Sequence, residues 1–64
     1  MTSPKDFTPR EREILLLIRL GKTNEEISTI LGVSLNTVKT HIKHLFKKLK
    51  VRNRTEASQF IFEN

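Results

Sequence analysis

The side chains with the most chemistry to offer lie in the second half of the chain. His41 and His44 are three residues apart, a spacing at which two imidazoles share one helix face and can reach a common metal ion. The chain has no cysteine, and no carboxylate stands close to the pair in sequence to complete a ligand set. No metal site and no cofactor are therefore expected, and the histidines are read as flanking a lysine face where they touch phosphate or solvent. Serine and threonine hydroxyls stand at helix starts or beside lysines without a paired base, so an enzyme is not expected either. What does recur is a set of donors. Lys39, Lys43 and Lys47 step by four, with Asn36 and Thr40 supplying neutral amide and hydroxyl groups among the ammonium heads. Such a face suits an acceptor-rich polyanion.

These residues need a helix to align them, and the apolar spacing predicts one. Val38, Ile42, Leu45 and Leu49 step by four, three and four, and Leu35 and Phe46 widen the same stripe. Ser34 fits the N-cap, so the helix starts at Leu35 and ends near Lys50. Gly32 can take the left-handed conformation that ends a preceding helix, and Val33 tucks between the two helices, which gives a helix-turn-helix.

The remaining elements hold this unit. Thr8-Pro9-Arg10-Glu11 combines an N-cap, a proline where a missing N–H costs nothing and a glutamate that closes a capping box. Phe7 stands at N′, where an apolar residue can staple onto the first turn. Helix one is predicted to run to about Leu20 and stop at Gly21, burying Ile14, Leu15, Leu17 and Ile18, with Leu16 and Leu20 a surplus apolar pair on the opposite side. Thr23 and Glu26 repeat the capping box for a helix from about Asn24 to Leu31 that buries Ile27, Ile30 and Leu31. Asn53 and Glu56 open a last helix from about Arg54 to Phe62. There Ala57, Phe60 and Ile61 face the core, and Thr55, Ser58, Gln59 and Phe62 form an outer face where small residues permit a helix-helix contact.

Length and charge bound the class. A chain of 64 residues makes one small domain whose buried area barely offsets its conformational entropy, so a partner is a natural brace. Residues 1–7 are expected to be a flexible leader or linker remnant, and residues 8–64 the folded domain. No apolar run approaches the roughly 20 residues needed to span a bilayer, and the start lacks a signal-peptide core, so the chain reads as soluble and cytoplasmic. The net charge is +5, and no acid occurs between Ile27 and Thr55, where Lys39, Lys43, Lys47, Lys48, Lys50, Arg52 and Arg54 all fall. This polarisation favours nucleic acid over a merely solvated lysine surface.

Several spaced motifs agree with one family. Thr8-Pro9-Arg10-Glu11 with Ile14-Leu15, then Lys22-Thr23-Asn24-Glu25-Glu26-Ile27, Ser34 with Thr37-Val38-Lys39, His41, and Lys48-Leu49 with Val51, Arg54 and Ala57 together resemble the LuxR-type helix-turn-helix. That unit is shared by the small GerE-like regulators and by the output domains of NarL/FixJ response regulators. The resemblance covers about Phe7 to Phe62. It implies an all-α, four-helix DNA-binding domain of a bacterial transcription regulator, whose third helix enters the major groove and whose fourth pairs two subunits on inverted half-sites. Carried over by position, Lys39, Thr40 and Lys43 resemble base-reading residues, and Thr37, His41 and Arg52 resemble residues near phosphates. The outward face itself adds Asn36 to the first group and Ser34, Lys47 and Lys50 to the second.

Two positions depart from the pattern. Leu16 and Leu20 stand where the family usually has polar residues, and are read either as ordinary surface leucines or as a contact for a receiver domain or RNA polymerase. Ser58-Gln59 is more polar than a strongly dimerising helix, so the chain is expected to be monomeric or weakly dimeric in solution and to form a homodimer on double-stranded DNA. A protein-interaction module that reuses the fold is the competing class. Nonspecific RNA binding is disfavoured, because only Phe46 lies near the basic face and base stacking needs exposed rings.

Overall fold

The computed structural model describes residues 7–60, and those residues form α1 (Pro9–Arg19), α2 (Asn24–Leu31), α3 (Leu35–Leu49) and α4 (Arg54–Ser58). Helices α1 and α2 both lie against α3, and α4 packs on α1. The α3 stripe of Val38, Ile42, Leu45 and Leu49 is buried, and meets Ile14, Leu15 and Ile18 of α1, Ile27 of α2 and Ala57 of α4. Leu17, Leu31, Val33, Phe46, Val51 and Phe60 are partly buried around this core. No helix among the described residues is long and apolar enough to cross a membrane.

Caps set every helix boundary. Thr8 and Thr23 each accept from the N–H of a glutamate three residues on, at 3.1 Å, and each glutamate accepts from the threonine N–H in return, at 2.8 and 2.9 Å. Helices α1 and α2 end in paired Schellman bonds, from Lys22 N–H to Leu17 O and Gly21 N–H to Ile18 O, and from Val33 N–H to Ser28 O and Gly32 N–H to Thr29 O. Gly32 has φ +69°, the left-handed value that sends the chain into the turn before α3. Helix α3 ends the same way, with Val51 N–H on Phe46 O and Lys50 N–H on Lys47 O. Here the left-handed residue, at φ +58°, is Lys50 rather than a glycine.

Two expectations change. Ile30, assigned to the core, is 53% exposed, while Ile27 carries the burial of α2 alone. The helix is short, and only its inner edge meets α3. Helix α4 ends at Ser58 instead of about Phe62, because Gln59 N–H and Phe60 N–H bond three residues back, to Glu56 O and Ala57 O, and tighten the last turn. Phe62 and Ile61 lie outside the described residues. Phe7, read as a staple at N′, is only 4% exposed and belongs to the core. A half-buried ion pair that spacing did not foretell holds this end: Lys48 Nζ donates to Glu11 Oε1 at 2.8 Å and sits 5.4 Å from the centre of the Phe7 ring.

Candidate nucleic-acid interface

Helix α3 presents its inner stripe to the core and its other side to solvent. Asn36, Lys39, Thr40, Lys43 and Lys47 are all exposed on that outer side. The 15 residues of α3 make about 22 Å of rigid rod at 1.5 Å per residue. On such a rod Lys39 and Lys43 are one turn apart and point the same way.

The start of α3 is built around Ser34. Its Oγ accepts from Thr37 N–H at 3.1 Å and lies 2.8 Å from Thr37 Oγ1. The two hydroxyls share one hydrogen, which leaves the other hydroxyl hydrogen of the pair for a ligand. Val38 N–H is bonded to Ser34 O, so the N–H groups of Leu35 and Asn36 remain at the positive end of the helix. Ser34, Asn36, Thr37, Thr40 and His41 line one depression beside these groups. Backbone N–H groups, hydroxyls and an imidazole around a concave surface at a helix start form a place for an anionic oxygen. The Thr40 hydroxyl donates to Asn36 O at 3.1 Å, so it meets a ligand through its oxygen lone pair and its methyl group.

The cations divide into two kinds. Lys39, Lys43, Lys47, Lys50 and the Arg52 guanidinium are exposed and form no ion pair among the described residues. Lys48 and Arg54 are committed to the fold. Lys48 holds Glu11, and Arg54 donates to Asn24 Oδ1 at 2.6 Å and to Lys22 O, tying the start of α4 to the turn between α1 and α2. Charge counting along the sequence could not separate these classes, because the acceptors come from residues about 30 or more positions away. Burial pushes the Glu11 carboxyl up, but the Lys48 ammonium and the Thr8 N–H outweigh it and hold Glu11 below the usual carboxylate range.

The predicted residues fall on two separate surfaces. Ser34, Asn36, Thr37, Lys39, Thr40, His41, Lys43 and Lys47 lie on α3 or at its cap, and Lys50 and Arg52 follow at its end. His44 is exposed, and no group of three metal-ligating side chains occurs among the described residues. Thr55 and Gln59 are exposed and Ser58 half-buried at α4, with the Ser58 hydroxyl turned back onto Thr55 O at 2.7 Å.

Residues 5–61 match the family described as bacterial regulatory proteins, luxR family. The chain is 51% identical over 58 residues to the CsgBAC operon transcriptional regulatory protein of Escherichia coli K12, covering 91% of this chain and 27% of that protein. It is 45% identical over 57 residues to the nitrate/nitrite response regulator protein NarL of the same strain, covering 89% and 26%. To the response regulator protein VraR of Staphylococcus aureus NCTC 8325 it is 44% identical over 58 residues, covering 91% and 28%. The chain thus spans about a quarter of the length of the relatives it matches. All three relatives are named as regulators, not enzymes.

Proposed function

Because the chain belongs to the luxR family of bacterial regulatory proteins, we propose that it is the sequence-specific DNA-binding unit of a cytoplasmic transcription regulator, with α3 lying in the major groove of double-stranded DNA. The observation that carries this reading is the outer side of α3, where cations that form no ion pair among the described residues and neutral hydrogen-bonding groups share one exposed face while the opposite stripe is buried. Asn36, Lys39, Thr40 and Lys43 face the base edges, where lysine can donate to guanine O6 and N7 and asparagine can pair with adenine. Ser34, Thr37, His41, Lys47, Lys50 and Arg52 flank them and contact phosphates, which set register without carrying sequence.

One such helix reads only a few base pairs, so useful affinity comes from two copies on inverted half-sites. The homodimer forms through α4, where Thr55, Ser58 and Gln59 allow close approach, with Phe62 following them in sequence. That face is small and polar against the roughly 1,600 Å² of a standard interface, so pairing occurs on DNA and is weak or absent in free solution. Titration of full and half sites tests the reading. Wild type binds the full site cooperatively, and Ser58→Arg abolishes cooperativity while sparing half-site binding; non-cooperative binding by wild type overturns the α4 dimer. Leu16 and Leu20, 54% and 63% exposed, supply a separate contact for a receiver domain or RNA polymerase.

A further inference from the structure

Among the described residues the large apolar side chains that remain exposed are Leu16, Leu20 and Ile30, all on α1 and α2 or at the end of α1. Leu16 and Ile30 do not stand singly. With Leu17, Leu31 and Glu13 they line one depression of about 120 Å³ between the two helices, and Ile30 continues into a second depression lined by Lys22, Glu25, Glu26 and Thr29. The floor is apolar, and three carboxylates stand at its rim. Glu26 is occupied by the N–H of Thr23, but the carboxylates of Glu13 and Glu25 form no ion pair among the described residues. Glu13, Glu25 and Glu26 thus stand beside the exposed apolar groove with Lys22 as the one cation in its lining, and the groove shares no residue with the depression at the start of α3.

We infer that the groove between α1 and α2 docks a cationic amphipathic helix of a separate protein. An apolar side chain at each of two successive turns would cover Leu16 and Ile30, and lysines or arginines flanking that stripe would meet Glu13 and Glu25. The chemistry excludes the other occupants. Nucleic acid and anionic lipid are disfavoured, because Glu13, Glu25 and Glu26 outnumber Lys22, the one cation in the lining. A second copy of this chain offers cations on α3, but the apolar stripe of that helix is buried, so it has no ridge to fill the groove. The inference takes up the reading of Leu16 as a protein contact and moves the centre of that contact from Leu20 to Ile30.

The test uses a synthetic helical peptide of about four turns, carrying leucines at i and i+4 with lysines on both flanks, and a copy with glutamates in place of the lysines. Amide shifts of the chain with the lysine peptide are expected at residues 13–17 and 25–31 and not along α3. Ile30→Lys and Leu16→Lys should each weaken binding at least about tenfold, the loss expected when one large apolar contact is removed. Glu13→Lys with Glu25→Lys should weaken it severalfold and flatten its salt dependence. Amide shifts along α3 of the free chain should be unchanged in all of these, which shows that they fold; Ile30→Gln replaces any variant that fails this control. Equal binding of the glutamate peptide, shifts confined to α3, or concentration-dependent self-association through the groove overturns the proposal. Loss on Leu20→Lys without loss on Ile30→Lys overturns it too, while leaving the Leu16 and Leu20 contact standing.

Discussion

In the proposed reading, sequence discrimination depends on Lys39 and Lys43, which are exposed on the first half of α3 and form no ion pair among the described residues. Replacing either by alanine should cost about 1–3 kcal/mol on the preferred site and relax preference at one base pair, as measured by competition between single-base variants of that site. Equal loss on preferred and random duplexes would reassign the lysine to phosphate. Glu11 belongs to the same scale but acts on stability. Its pKa is lowered in the fold, so its contribution is present above the unfolded value of about 4.3 and is lost as pH falls through the folded value. Lys48 is 44% exposed, which reduces what the pair contributes to about 1 kcal/mol. Glu11→Gln should therefore lower stability by about 1 kcal/mol at neutral pH and flatten the decline below about pH 4, read by denaturant titration at several pH values. An unchanged acid profile would show that another carboxylate dominates it.

At the scale of elements, Lys50 joins two demands that pull apart. It closes α3 at φ +58°, where a side chain costs about 1–2 kcal/mol that glycine avoids, and it ends the cationic face. Lys50→Gly should raise thermal stability by up to about 1 kcal/mol while lowering the log-log salt slope of DNA binding by about one. A stabilised variant with an unchanged slope would remove Lys50 from the phosphate set. Most of the architecture was legible beforehand, because its signals are local. Thr8, Thr23, Ser34 and Asn53 announce their own helices, and the Val38, Ile42, Leu45 and Leu49 stripe states which side of α3 is buried. What escaped depends on residues distant in sequence. Ile30 has the right spacing for burial, but α2 is too short and too obliquely covered for a second isoleucine to reach the core. The end of α4 is set by how Phe60 turns toward the core. The structural duties of Lys48 and Arg54 are set by Glu11, Asn24 and Lys22, which no periodicity connects to them.

On the whole molecule, the cationic side of α3 and the acid-rimmed groove of α1 and α2 share no residue, so DNA and protein contacts can be made together. A domain of this size has few ways to bind tightly alone, which is the physical ground for the proposed pairing on the site. The central claim is that α3 reads a duplex by sequence. Selection of bound duplexes from a random pool, followed by titration of the enriched sequence across a range of salt concentrations, tests it most directly. The account predicts enrichment of inverted half-sites centred one helical turn apart, about 10 base pairs. It also predicts affinity that falls steeply with salt yet stays at least about a thousandfold above that for random competitor. A pool that does not converge, or a selected duplex bound no better than random DNA at any salt concentration, would contradict it.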